Sequence, residues 1–303
     1  MEIKITKNIE EANLITHDSK FHPDDVFSTV FLSKIIDNPC LYRTSIIPEK
    51  TNAIIYDIGF GKFDHHGPNA KMRPESNLKY CSFGLLWEEY GREFLKKNKY
   101  DNIEEIFTAV EEKLVKQIDG IDNGNFPEIK AEYKLMDLDK IIDMYNPTWD
   151  EQPDFDNCFI NATKVAEIIF DNVIRTENSK IKAKKIVLDK IETVTNNMLI
   201  LDKYIPYNDA VFESTNPKAK EIKIVILPSN RGGYCVKPIT ISKESKELLI
   251  NFPKTYHGLH DEELQKISGI KTAKFVHSTG FLATAETIDD AILLAQKALE
   301  NKE

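Results

Sequence analysis

Asp64-His65-His66 stands a few residues after an apolar run that ends in a carboxylate, Ala53-Ile54-Ile55-Tyr56-Asp57. Two imidazoles and two carboxylates this close in sequence form a donor set for a divalent cation, and packing gives no reason for them. A second group, His17, His22 and Asp24, follows another short apolar run, Asn13-Leu14-Ile15-Thr16. Pro23 and the acids beside it also suit the start of a helix, so capping alone accounts for Asp24 or Asp25. Capping does not account for two histidines. A third group, Asp119 and Asp122, lies in Ile118-Asp119-Gly120-Ile121-Asp122-Asn123-Gly124 at the C-terminal end of an expected helix. Three residues apart, these acids share a face where the helix dipole disfavours them, and a cation would offset that cost. Asp57 ends an apolar strand and needs a partner, a hydrogen bond or a cation; with two cations present, its two oxygens can bridge them.

The elements that must position these groups alternate. Asn13 to Thr16 and Ala53 to Ile58 read as strands, and Asp24 to Ile36 as a helix with Val26, Phe27, Val30, Phe31 and Ile35 on its apolar face. Ser82 to Lys97 and Ile103 to Ile118 carry two further amphipathic patterns, and 159–198 is helical almost throughout. Alternation at this spacing predicts an α/β fold, a mostly parallel sheet flanked by helices, with the chemistry at the strand ends. The segment from Leu201 to Asn208 breaks the pattern, so the expected domains are 1–200 and 201–303. The second is a smaller α/β domain, with strands at Ile222 to Leu227, Tyr234 to Ile239, Leu248 to Phe252 and Lys274 to His277, then a helix from Thr287 to Leu299.

The 303 residues, 41% apolar and 10% aromatic, are ample for two cores. No run approaches the roughly 20 apolar residues of a membrane helix, and the N-terminus lacks a secretory layout, so the chain reads as cytoplasmic with no membrane partner. Cys40, Cys81, Cys158 and Cys235 show no paired spacing, which argues against structural zinc and disulfides. With 40 basic against 49 acidic residues, the net charge of −9 argues against nonspecific coating of nucleic acid. It does not exclude a nuclease, because bound cations can hold phosphates on an acidic protein.

The order H-x-x-x-x-H-x-D, strand-Asp, D-H-H and D-x-x-D-N-G resembles the DHH phosphoesterase superfamily, which includes RecJ-type exonucleases and family II inorganic pyrophosphatases. Within it the chain looks most like the Myg (melanocyte proliferating gene product) family of DHH-type exonucleases. The likeness runs through Thr16-His17, Phe21-His22-x-Asp24, Tyr56-Asp57-Ile58-Gly59, Phe63-Asp64-His65-His66 and Ile118 to Gly124. It continues in Gly258-Leu259-x-x-Glu262-x-Leu264, Ser268-Gly269-Ile270 and Phe275-Val276-His277-x-x-Gly280-Phe281.

The resemblance implies a hydrolase whose N-terminal domain holds two divalent cations, usually Mn2+ with Mg2+ as the other option, and whose second domain closes over a phosphate-bearing substrate. Carried across, His17, His22 and Asp57 hold one ion; Asp24, Asp57, His65 and either Asp119 or Asp122 hold the other. Asp57, His65 and His66 are then the catalytic group, with His66 on the substrate phosphate. The glycine-rich histidine motif of many DHH proteins is echoed by Arg231-Gly232-Gly233 and by His277 and Gly280, which makes Arg231, His277 and Gly280 candidate substrate contacts. Lys237 is a further candidate clamp for phosphate oxygens. Two cations acidify a water and stabilise charge on the attacked phosphoryl group, and mixed imidazole and carboxylate ligands suit manganese. The expected substrate is short single-stranded RNA or DNA. A small phosphate compound such as a dinucleotide or pyrophosphate is the alternative, and a noncatalytic metal-binding regulator on the same scaffold the third reading. A homodimer is left open.

Overall fold

Strands β1 (Lys4–Ile5), β2 (Leu14–Thr16), β3 (Cys40–Arg43) and β4 (Ile54–Ile55) lie parallel in the order β1-β3-β2-β4. Leu14 pairs with Leu41 on one side and Ile54 on the other, so β2 is central and wholly buried, as the apolar strands of helix-covered parallel sheets are. The computed structural model describes residues 2–68, 70–74 and 76–302. Within them the chain divides into two compact units, Met1–Asn178 and Ser179–Glu303.

The first unit adds α1 (Pro23–Ser33), α2 (Ser82–Lys97), α3 (Ile103–Val110), α4 (Lys116–Asp122), α5 (Leu138–Asp143) and the earlier turns of α6 (Phe155–Ile191). Every residue of α1 is buried. The Phe31 ring on α1 lies 5.4–6.2 Å from those of Phe83, Trp87, Phe94 and Phe170, which ties α1 to α2 and α6. Pairs of this geometry each add about 0.5–1.5 kcal/mol beyond area burial. Between α3 and α4, residues Glu111–Val115 form a π-helical turn. Such turns are often found where a helix serves a site.

The second unit holds β5 (Met198–Ile200), β6 (Ile224–Pro228), β7 (Tyr234–Pro238), β8 (Ala273–Val276) and β9 (Ala283–Ala285) in the order β5-β6-β7-β9-β8. β5 is parallel to β6, and the remaining neighbours are antiparallel. Side chains alternate between two cores. Ile224, Ile226 and Val236 face Leu264 of α8 (Asp261–Ser268) and Leu294 of α9 (Ile288–Glu300), while Val225, Leu227 and Cys235 face Val187 and Ile191 of α6 and Val211 of α7 (Asn208–Glu213).

The α/β architecture is as the alternation implies. Details differ for local reasons. The strand expected over 53–58 stops at Ile55, because Asp57 takes a positive φ of 57° and turns the chain. The stretch from Leu248 to Phe252 makes a single bridge, Thr240 to Leu248, and Phe252 enters the core from a loop. The later turns of α6 pack in the second unit's core, so the units divide at 178 and the break expected near 201 follows β5. Among the described residues no helix is long and apolar enough to cross a membrane.

Candidate metal centre

The carboxyl ends of the adjacent strands β2 and β4 release the chain at His17 and Asp57, the edge where open α/β sheets gather their chemistry. Asp57 is buried in the left-handed region, a strained conformation for a residue with a Cβ, and its N–H donates to the Phe63 carbonyl at 2.9 Å. That bond closes the turn leading into Asp64-His65-His66. Asp64 organises the turn further: one oxygen accepts from the Phe60 N–H, the other from the His66 N–H and His66 Nδ1 at 2.7 Å. Burial opposes its charge, but these donors hold its pKa below the usual carboxylate range.

Three clusters of potential ligand atoms result: His17 with Asp25 and Asp57; Asp24 with His65 and Asp122; and Asp57 with His65 and His66. Within each, the candidate atoms lie within 4.8 Å of one another. Asp57 faces two ways. Its Oδ2 is 3.2 Å from His17 Nε2, and its Oδ1 is 3.3 Å from His65 Nε2. His65 Nε2 is also 3.1 Å from Asp122 Oδ2 and 3.6 Å from Asp24 Oδ2. Asp25 Oδ2 lies 3.2 Å from His17 Nε2.

These groups fit a cation. Asp24 Oδ1, Asp25 Oδ2, Asp57 Oδ1, Asp122 Oδ2 and His65 Nε2 are buried with no hydrogen-bond partner, although some approach one another within 3.1–3.3 Å. These atoms crowd together in the three clusters without pairing donor to acceptor. Buried polar atoms left so are costly unless something positive sits among them. His17 Nδ1 donates to the Asp18 carbonyl at 2.9 Å, which fixes the tautomer and leaves Nε2 to face the acids. Burial opposes the charged His17 ring, yet the Asp25 and Asp57 carboxylates beside Nε2 hold its pKa up at about 11. Burial, then repulsion from Asp24, pushes Asp57 well above the ordinary carboxylate range and Asp122 to about 8.

The acids of α4 have different surroundings. Asp122 sits in the cluster. Asp119 pairs with the buried Arg73 Nε and accepts the Cys81 N–H at 2.9 Å, while Arg73 also pairs with Glu111 of the π-helical turn. Both Asp119 oxygens are therefore engaged. Gly84 on α2 is required there, because a Cβ would collide with the Asp119 carboxylate. His22 begins α1, exposed and outside the three clusters, its ring centroid 6.0 Å from that of His17. Its neighbour Asp25, which sequence reasoning reads as a cap, does both jobs: Oδ1 accepts the His22 N–H at 2.9 Å and Oδ2 enters the cluster. Ser82, at the start of α2, donates through Oγ to Asp24 Oδ2 at 3.0 Å and fixes that carboxylate. The His66 side chain is 54% exposed and open to a ligand.

In the second unit, His277 follows β8 half-buried, with Nδ1 2.9 Å from Thr279 Oγ1 and its ring 4.4 Å from that of Phe281. Gly280 takes a φ of 72°, and a Cβ there would press on the His257 ring. Arg231 is exposed in the turn between β6 and β7, and Lys237 Nζ lies 5.7 Å from the Tyr204 ring centroid.

A parallel α/β unit with buried imidazole and carboxylate donors at its strand ends, followed by a mixed α/β unit, defines a two-unit protein with a candidate centre for divalent ions. The chain belongs to the MYG1 exonuclease family, whose model, described as an uncharacterised protein family (UPF0160), matches residues 13–299. The MYG1 protein of Dictyostelium discoideum is 27% identical, over 96% of this chain and 97% of its own length. Proteins named MYG1 exonuclease from Rattus norvegicus and Homo sapiens are 25% and 23% identical; each covers 95% of this chain, and the matches span 84% and 85% of their lengths. A solved pGpG-specific phosphodiesterase, PggH from Vibrio cholerae, is similar at 15% identity over 96% of this chain and 99% of its own, with a TM-score of 0.25, too slight to bear on fold or chemistry.

Proposed function

We propose that this protein is a metal-dependent phosphodiesterase that hydrolyses short single-stranded RNA or DNA from an end, as the exonuclease names of its relatives suggest. The observation carrying this reading is the two-faced Asp57, whose oxygens turn to His17 on one side and His65 on the other among unpartnered buried acids. His17, Asp25 and Asp57 would hold one divalent ion; Asp24, Asp57, His65 and Asp122 the second. Mixed nitrogen and oxygen ligands suit manganese, with magnesium the other option. A pair of such ions lowers the pKa of bound water and offsets charge on the attacked phosphoryl group.

The chain's own residues do the positioning. Ser82 fixes Asp24, the Asp18 carbonyl fixes the His17 ring, and the Asp57 turn aims both its oxygens. Asp64 accepts from His66 Nδ1, which leaves His66 Nε2 at the exposed rim to meet a substrate phosphate. Arg231, Lys237, His277 and Gly280 in the second unit are proposed as further phosphate or base contacts.

The test is release of mononucleotide from an end-labelled oligonucleotide under manganese, run beside pyrophosphate and dinucleotides. Preferential and processive shortening of the oligonucleotide supports the reading. Turnover of pyrophosphate or dinucleotide alone would reassign the substrate, and no turnover at all with full metal loading would leave a binding protein.

A further inference from the structure

We infer that the cleft beside α4 in the first unit is the binding site for single-stranded nucleic acid, with its bases stacked on Phe126 and Tyr133 and its phosphates met by lysines. This deepens the phosphodiesterase reading and rests on it for the identity of the reaction. The cleft encloses about 690 Å³, a size ordinary for ligand sites, and one wall is Gly120 and Ile121. Those residues lie between Asp119 and Asp122, so a strand in the cleft runs along the same helical turn that presents Asp122 to the candidate metal centre.

The opposite wall, 125–137, has no regular structure and exposes apolar side chains to solvent. Phe126 is 54% and Tyr133 72% exposed. Exposed aromatic rings beside a groove are the usual means of holding unpaired bases, since every base offers a face to stack.

Charge points the same way. The chain carries 49 acids against 40 bases, yet the residues lining the cleft include Lys116, Lys134 and Lys140 against the single acid Asp137, while Glu128, Lys130 and Glu132 of the same wall lie outside the lining. Lys116 pairs with Glu112 and Lys140 with Asp137 at the surface, contacts weak enough to exchange for phosphate. A local positive lining in a negative protein suits a polyanion, and stacking rings select the unpaired strand over a duplex.

The experiment measures equilibrium binding of a short fluorescein-labelled single strand to the full chain by anisotropy, in chelator so that nothing is cleaved. Phe126→Ala with Tyr133→Ala should weaken binding by about tenfold or more, while Tyr133→Phe, which keeps the ring, should bind as wild type does. Lys134→Ala should make the slope of log affinity against log salt shallower by about 0.7. Manganese content and circular dichroism of each variant report that fold and centre are intact, as expected of substitutions at solvent-facing positions.

Affinity unchanged within about twofold in the double aromatic variant overturns the inference, as does equal affinity for a duplex of the same sequence. So does a wild-type protein that degrades dinucleotides under manganese yet binds no single strand. Strand binding that depends on Phe126 and Tyr133 in a protein without hydrolytic activity would uphold the cleft and overturn the phosphodiesterase reading, so the two failures are distinct.

Discussion

Asp57 combines three costs: burial, like-charged neighbours and a positive φ. Each is tolerable if one carboxylate serves two cations. Asparagine keeps the size and is among the residues most at ease in the left-handed region, so Asp57→Asn should fold. It also removes a charge that Asp24 and Asp25 repel. The metal-free variant should therefore melt higher than metal-free wild type near pH 8 while binding less metal and losing hydrolysis altogether. An active variant with unchanged double occupancy would refute the bridging role.

The paired histidines separate at the same scale. His65 is buried among three carboxylates, whereas His66 leans on Asp64 at the rim. His65→Ala should lower manganese affinity by at least about 10–100-fold, the loss seen even for outer partners of metal ligands. His66→Ala should retain the metal and slow turnover. Equal metal loss in both variants, read by calorimetric titration, would contradict this division.

At the scale of elements, α4 is braced. Arg73 ties the loop before α2 to Asp119 on α4 and to Glu111 in the π-helical turn, and all three meet next to Asp122. Arg73→Met leaves Asp119 a buried unpaired charge and should cost about 3–5 kcal/mol. Adding Asp119→Asn removes that charge while preserving an acceptor for the Cys81 N–H, and should recover part of the loss. A double variant no more stable than Arg73→Met in chemical denaturation would show that the pairing is incidental.

This brace was hidden in the sequence, because Arg73 and Asp119 are 46 residues apart and Arg73 belongs to no local pattern, while the D-x-x-D spacing reads Asp119 as a candidate ligand beside Asp122. Asp25 was hidden for the opposite reason: the first turn of a helix already explains an acid, so its second oxygen left no trace. What the sequence did reveal was periodic or local. Helix α2 matches its apolar pattern from Ser82 to Lys97, and the acids after β2 and β4 stand out against apolar strands. Two-residue strands such as β1 are too short to show alternation, and their existence depends on partners elsewhere, Cys40 and Leu41 for β1.

For the molecule as a whole, the cluster makes stability a function of pH and metal together. Burial and the Asp24 charge push Asp122 up to about 8 from an ordinary 3.8, and Asp25 and Asp57 hold His17 up at about 11 from 6.5 against the opposing effect of burial. Between those ordinary and shifted values the folded protein holds protons that the unfolded chain has released, so stability must fall as pH rises. For Asp122 the window is about pH 4 to 8, and His17 adds the same sign above about pH 6.5. Exposed carboxylates with lowered values, such as Glu213 beside Lys184 and Lys243, act at more acidic pH and do not reverse this slope. A divalent ion displaces these protons, and its affinity rises as they leave. Metal therefore stabilises most where the metal-free protein is weakest. Thermal melts of the full chain from about pH 5 to about pH 8 should show the first unit's transition falling with pH in chelator. The upward shift on adding manganese should grow over the same range. A chelated protein whose melting temperature climbs through this window, or a manganese shift equal at both ends, would mean that the buried acids and imidazoles are not competing for protons and cations at one site.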